Sequence, residues 1–320
     1  MHAKRILMAL LVPWIVATLA ACARTVPAGH LDGLVSRQGL GYELYVPESY
    51  DGETELPLLL LLHGGGQTAA AIASLSRMDD YAELRDVVVV YPEQSVEANP
   101  GRYWNWFLPE NQTRGEGEPE MLADLVREVS DAYRIDRDRI AVAGFSAGGC
   151  MAITLGILYP DLFDGIATTG AVAFGVANDA VSANEAIAGT LPAIDQTIDA
   201  AYAAMPAEFR RPVRALLFHG DADQRVDFVN LAFATDVLVG LNARIDQTFP
   251  IGFSETERIV GEGRLAFTVD IYHGDGAMIQ VYAVEGMAHR WPGAPSSETY
   301  GDPLAPDFSE LALAFLFPAS

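Results

Sequence analysis

Arg139-Ile-Ala-Val-Ala-Gly-Phe-Ser-Ala-Gly-Gly149 decides how this chain is read. An apolar run at 140–143 stops at Gly144, and Ser146 follows between Gly144 and Gly148. The next residues, 150–159, have helix-like composition. Strand, tight turn and helix in that order are the setting of a nucleophile elbow. The turn holds the serine in a strained conformation, and glycine on either side lets neighbouring backbone pass closely. Ser146 is expected at the carboxyl end of a central strand. A serine hydroxyl is a weak nucleophile until a base takes its proton, so the chain must supply a histidine and an acid further on.

Outward from the elbow the same unit recurs. Residues 56–62 are continuously apolar and end in His63-Gly-Gly-Gly66, and residues 87–91 form a second apolar run stopped by Pro92. Such runs mark strands buried on both faces of a parallel sheet. Helical spacing is expected over 69–84, 120–133 and 308–317, with a polar, alanine-rich helical stretch at 176–211 beside the sheet. Residues 41–46 read as an edge strand, and 165–170 and 213–218 as further buried strands. Two alternating strands, 266–272 and 278–284, flank the turn His273-Gly-Asp-Gly276. Between 94 and 118 the pattern breaks into a loop holding Tyr103, Trp104, Trp106 and Phe107. Buried strands, glycine-rich turns and helices in alternation define an α/β chain, with a mostly parallel central sheet and helices on both faces. One domain is expected over 39–320.

The formal charge of −23 over 320 residues, with Lys4 as the single lysine, excludes nucleic acid as a natural partner, because such a surface repels phosphate backbones. It reads as a solvated acidic coat. No carboxylate cluster has metal-ligand spacing, and no cofactor or obligate protein partner is indicated. Lys4 and Arg5 precede an apolar stretch at 6–20 that ends in Leu19-Ala-Ala-Cys22. This has the parts of an export signal, residues 1–22, rather than of a membrane span. The residues around Cys22 resemble a bacterial lipobox, which implies lipidation of Cys22 and membrane contact through that anchor alone. A plain secretory signal cut nearby is the alternative, and residues 23–38 read as a tether. Cys150 is then the one remaining cysteine, expected as a buried thiol.

In the α/β-hydrolase fold the order along the chain is serine, acid, histidine. Of the six histidines only His273 and His289 come late enough. His273 falls in a turn, whereas His289 follows the strand at 278–284 by a short glycine-bearing loop, so His289 is the expected base. The acid should follow the strand at 213–218, where His219-Gly-Asp-Ala-Asp223 lies. Asp223 is preferred because it can turn back over the sheet edge to orient the imidazole. Asp221, expected to cap the turn, and Asp227 are the alternatives. Main-chain N–H groups of Gly65, Gly66 and Ala147 are the expected oxyanion donors. Trp104, Trp106 and Trp291 are candidates for a substrate pocket, against the plainer reading that they pack the core.

Tyr91-Pro-Glu-Gln-Ser95, Trp104-Asn-Trp-Phe107, Gly144-Phe-Ser-Ala-Gly-Gly149, His219-Gly-Asp-Ala-Asp223 and Gly286-Met-Ala-His-Arg-Trp-Pro-Gly293 occur in one order. In this the chain resembles the poly(3-hydroxybutyrate) depolymerase family of esterases, which includes feruloyl and acetylxylan esterase-like members. The resemblance spans about 40–318, with the closing stretch Tyr300-Gly-Asp-Pro-Leu-Ala-Pro-Asp307 included. It implies a serine carboxylic ester hydrolase working through an acyl-enzyme, with Ser146 as nucleophile, Asp223 as acid and His289 as base. Hydroxyalkanoate oligoesters or feruloyl-type esters are the implied substrates. A serine peptidase of the same fold and a non-catalytic envelope lipoprotein are the rival readings. Two departures are notable. Gly65 and Tyr103 stand where relatives often carry cysteines, and Arg290 replaces a usually small residue after the histidine.

Overall fold

Five leucines in a row, Leu58 to Leu62, have no solvent exposure in the computed structural model, which describes residues 27–249, 255–274 and 278–318. The export signal, Cys22 and the first part of the expected tether lie outside the described residues. In an extended strand alternate side chains point to opposite faces. Leu58, Leu60 and Leu62 accordingly join one apolar core, and Leu59 and Leu61 the other. Full burial of a leucine is worth about 1.5–3 kcal/mol, so this strand alone anchors both faces of the sheet.

The elements in chain order are β1 (Gly29–Val35), β2 (Gly41–Val46), β3 (Leu56–Leu62), α1 (Ala69–Ser76), α2 (Met78–Glu83), β4 (Val88–Pro92), α3 (Gly117–Ala132), β5 (Ile135–Phe145), α4 (Ala147–Leu158) and β6 (Gly165–Thr169). There follow α5 (Ala180–Ile187), α6 (Ile194–Ala204), β7 (Arg214–Gly220), α7 (Val229–Ile245), β8 (Glu255–Ile259), β9 (Phe267–His273), β10 (Met278–Val284) and α8 (Phe308–Leu316). The strands form one 10-stranded sheet in the order β1-β2-β4-β3-β5-β6-β7-β10-β9-β8. Pairing is parallel from β4 through β10 and antiparallel at both margins. Residues of α3, α4, α6 and α7 pack into one core, and those of α1, α2 and α8 into the other. This is the mostly parallel sheet with helices on both faces that the sequence pattern implies.

Two expectations are corrected, and two elements carry none. The stretch read as a tether at 23–38 contains β1, so residues 41–46 are not the edge. Only Leu31 and Leu34 of β1 reach the core, which leaves too little apolar periodicity to signal a strand. Polar contacts hold it instead: His30 pairs with Glu43 at 2.9 Å and with Asp79 at 2.6 Å. The single helix expected over 69–84 is two helices. Arg77 at φ 49° caps the first in left-handed conformation, and its N–H donates to the carbonyl of Ala73. Finally, α7 and β8 carry no expectation from the sequence, since the apolar moment of α7 is spread round its circumference and β8 is almost wholly exposed.

The elbow is closed by backbone contact. A methyl group at Gly144 would lie 2.2 Å from the carbonyl oxygen of Gly148, and one at Gly148 would lie 2.3 Å from that of Leu62. These atoms belong to β3, β5 and α4, and none can retreat without opening the sheet. Gly148→Ala is therefore expected to destabilise the protein by about 3 kcal/mol or fail to fold. Urea unfolding checks this, and a stability within 1 kcal/mol of wild type, as surface substitutions show, would contradict it.

Candidate active site

Ser146 ends β5 and begins α4 with φ 55° and ψ −120°, a left-handed conformation that a non-glycine residue adopts only under constraint. Its N–H donates to the carbonyl of Thr169 at 2.9 Å, and its carbonyl accepts from the N–H of Cys150 at 3.0 Å. The hydroxyl is thereby carried to the end of the sheet, on the wall of a cavity of about 490 Å³.

The loop after β7 carries Asp223 and the loop after β10 carries His289. These strands are parallel neighbours, with Ala283 opposite His219 and Val284 opposite Gly220, so their following loops emerge side by side. Asp221 ties them together by accepting the N–H of Gly286 at 2.6 Å, a bond between the two loops rather than the expected cap of its own turn. Asp223 Oδ2 accepts from His289 Nδ1 at 2.6 Å. That bond places the imidazole proton on Nδ1 and leaves Nε2 as the basic nitrogen. His289 stacks on Phe145 with ring centroids 4.9 Å apart and lines the same cavity as Ser146.

Asp223 is held from every side. Its Oδ1 accepts the backbone N–H groups of Arg225 at 2.8 Å and Val226 at 2.9 Å, and its Oδ2 accepts a second imidazole, His219 Nε2, at 3.1 Å. Burial alone would raise its pKa. The hydrogen bonds from His219 and His289, the charge of His289 and the Val226 N–H outweigh it, and hold the carboxyl well below the usual range. His219 also donates to the carbonyl of Val226, at 3.0 Å, so it fixes the aspartate rather than carrying protons itself.

Opposite the elbow, His63-Gly-Gly-Gly66 forms the loop after β3. His63 is wholly buried, accepts the N–H of Gln94 at Nε2 (3.0 Å) and donates from Nδ1 to the carbonyl of Gly64 (2.7 Å). This is a neutral imidazole with both nitrogens committed, and burial pushes its pKa down to about 4. Among the three glycines, Gly64 donates to Gln67 Oε1 at 2.8 Å and Gly66 to the carbonyl of Gly101 at 2.8 Å. Gly66 is thus corrected as an oxyanion donor: the turn folds its N–H back into the protein. Gly65 lines the cavity and its N–H has no partner among the described residues, as does the N–H of Ala147 at the start of α4. The ring of Tyr103 lies against Gly65, so closely that a methyl group there would sit 2.0 Å from it. Gly65 and Tyr103, the two departures from the resembled family's pattern, are therefore in contact through a glycine and an aromatic ring.

The loop at 94–118 is held by partly buried Glu118, which accepts from the N–H of Asn105 at 2.7 Å, the Asn105 amide and the Gln94 amide. Burial raises the Glu118 pKa against the pull of these donors. The clamp presents Tyr103, Trp106 and Phe107 to the cavity. Trp104 and Trp291, expected as substrate contacts, are instead core. Trp104 packs beside His63, and Trp291 lies between Phe145 and Phe308 with its Nε1 donating to Ser309 Oγ at 3.0 Å. Sequence reasoning missed Phe145 and Tyr300 as cavity walls, and likewise Ala183, Asn184 and Ile187 of α5. Phe145 alone had a signal, its place in the elbow. Cys150 is a buried thiol whose Sγ accepts the N–H of Val172 at 3.3 Å, and burial raises its pKa to about 12.

A serine at an elbow of this geometry, at the carboxyl end of a mostly parallel sheet, defines the α/β-hydrolase class. Among solved structures, the acetyl xylan esterase from Aspergillus awamori superposes with a TM-score of 0.66 at 19% identity, over 78% of this chain and 89% of that one. The family described as esterase PHB depolymerase matches residues 40–261, and the chain belongs to it. It is 30% identical to poly(3-hydroxyalkanoate) depolymerase C of Paucimonas lemoignei over 247 residues, 75% of this chain and 56% of that protein. Feruloyl esterase B of Thermothelomyces thermophilus is 29% identical over 257 residues, covering 77% and 82% of the two chains. This chain thus spans little more than half the length of the depolymerase.

Because His63 is neutral when folded, with a pKa near 4 against an ordinary 6.5, the unfolded chain binds the extra proton between those values. Its contribution is intact above pH 6.5 and is lost as pH falls towards 4, by about 3 kcal/mol in all. Urea titrations at pH 7 and 4.5 should show a smaller acid-side loss in His63→Gln than in wild type. Equal losses would contradict the assignment. For the aromatics, Trp106→Ala should raise KM for aromatic-acid esters severalfold, whereas Trp104→Ala should act on stability, by about 3–5 kcal/mol. Kinetics normalised to folded protein separate the two.

Proposed function

We propose that the protein is a serine esterase that hydrolyses carboxylic esters through an acyl-enzyme. The observation that carries this is the Asp223–His289 hydrogen bond reaching the wall of the cavity onto which the strained elbow turns Ser146. Ser146 Oγ attacks the ester carbonyl while His289 Nε2 takes its proton. The N–H groups of Gly65 and Ala147 hold the oxyanion of the tetrahedral intermediate, as preorganised donors that need no rearrangement. The ester C–O bond then breaks, His289 returns the proton to the leaving alcohol, and the acyl group stays on Ser146. Water, deprotonated by the same imidazole, releases the acid by the reverse sequence. Asp223 keeps the imidazole in one tautomer and stabilises its charged form.

Substrates are short hydroxyalkanoate oligoesters or esters of aromatic acids. The named activities of the relatives support that range, as do the rings of Tyr103, Trp106, Phe107, Phe145 and Tyr300 round the cavity. A fluorophosphonate should label the wild type and not Ser146→Ala. Hydrolysis of 3-hydroxybutyrate oligomers and of methyl ferulate, side by side, should fall at least about 10⁴-fold in that variant. Absence of labelling in well-folded wild-type protein would end the esterase reading and leave a binding role.

The protein is exported and lipid-anchored at Cys22, a reading supported by Leu19-Ala-Ala-Cys22 after a basic and apolar leader. Metabolic labelling with palmitate should mark the wild type and be lost in Cys22→Ser. Release of an unlabelled wild-type protein from cells would favour the plain secretory signal.

A further inference from the structure

Beside the cavity that holds Ser146 and His289 lies a second cavity of about 490 Å³, with His289 in the wall of both. The two share Arg225, His289 and Tyr300, and the second adds Arg290 and Thr299 but not Ser146. In a chain with 43 acidic and 20 strongly basic residues, neither cavity is lined by a single aspartate or glutamate. Both are lined by arginine.

These arginines differ from most others in the protein. Arg77, Arg102, Arg114, Arg127, Arg214 and Arg258, among others, each pair with a carboxylate. Arg225 makes no ion pair among the described residues. Its guanidinium lies over the ring of Tyr300, 5.5 Å from the centroid, and its backbone N–H is fixed by Asp223. Arg290 likewise has no carboxylate partner there and donates to the carbonyl of Thr299. A guanidinium stacked on a ring keeps its outward N–H fork free, and that fork matches a carboxylate in two parallel hydrogen bonds.

The position gives this charge a chemical meaning. In ester cleavage the alcohol leaves with the proton that His289 returns, so its path runs along the imidazole. Space that adjoins His289 without adjoining the nucleophile belongs to the alcohol half of the substrate. We propose that the second cavity is the alcohol-side subsite, and that Arg225, assisted by Arg290, selects esters whose alcohol is itself a hydroxycarboxylic acid with a free carboxylate. This rests on the ester-hydrolase reading above and specifies its leaving group. The step is ordinary hydrolysis: the acyl group passes to Ser146 Oγ, the ester C–O bond breaks, and the hydroxy acid departs with its hydroxyl proton from His289. The acidic coat elsewhere repels an anionic substrate, so the two arginines direct it to this end of the site.

The experiment uses the full-length protein and a pair of substrates that differ in one charge, the linear dimer of 3-hydroxybutyrate as free acid and as its methyl ester. The wild type should prefer the acid. In Arg225→Gln the ratio of kcat/KM for acid over ester should fall by about tenfold, with the change mainly in KM. Arg225→Lys should recover part of it, and Arg290→Gln should lower the ratio less. Because both rates are read on one preparation, partial misfolding cancels. Equal or better cleavage of the methyl ester by the wild type, or a ratio unchanged in Arg225→Gln, overturns the inference while leaving the esterase reading intact. If neither dimer is cleaved although a fluorophosphonate labels Ser146, the leaving-group assignment is wrong. If Ser146 is not labelled either, the esterase reading falls and this inference with it.

Discussion

The structure depends on one close approach of backbone, that of Gly148 to the carbonyl of Leu62 with Gly144 against Gly148. It brings the end of β3, the end of β5 and the start of α4 to within contact of one another. Ser146 is forced into its left-handed conformation at that junction, and the loop after β3 is set facing the first turn of α4. The N–H groups of Gly65 and Ala147, without partners among the described residues, come to the same side as the serine for this reason. Burial of the central strands on both faces provides the free energy that holds the strained turn closed.

Around this rigid junction, charge is arranged locally against the character of the whole. The surface is strongly acidic, yet Asp223 is the carboxylate at the centre of the site, and it is buried, with four hydrogen bonds to its two oxygens. Two histidines play opposite parts towards it. His289 presents its second nitrogen to the cavity, whereas His219 spends its Nε2 proton on Asp223 and the Val226 carbonyl. A third, His63, is neutral and serves as a hydrogen-bonded strut between Gly64 and Gln94. The same ring thus meets three fates: in His63 both nitrogens are bonded, in His219 the second nitrogen is buried without a partner, and only His289 lines the cavity.

Loops at 94–118 and 286–302 give the cavity its character. The first is tied down through Glu118, Asn105 and Gln94, which explains why the Pro-Glu-Gln and Trp-Asn-Trp motifs occur together: each supplies one arm of a single buried clamp. The second carries His289, Arg290 and Tyr300 and is fastened by the short parallel pairing of Trp291–Pro292 with Gly301–Asp302. Between them, rings and unpaired arginines meet.

Much of this was legible from residues alone, and the reason is local. Continuous apolar runs announce strands buried on both faces, a glycine pair two residues either side of a serine announces a tight turn, and the order serine, aspartate, histidine selects Ser146, Asp223 and His289 from many candidates. The structure then gathers those three at one end of the sheet. What tertiary structure alone decided were matters of long-range contact. Trp104 and Trp291 carry the same composition signal as Trp106, but packing turned two inward and one to the cavity. Gly66 has the same freedom as Gly65, but the carbonyl of Gly101 claimed its N–H. The strand β1, held by His30 between two distant carboxylates, and the Arg225 guanidinium, set over Tyr300 with no carboxylate partner among the described residues, have no local pattern to betray them. Sequence periodicity reports what each residue prefers; which neighbour satisfies it is settled only when segments far apart in the chain come together.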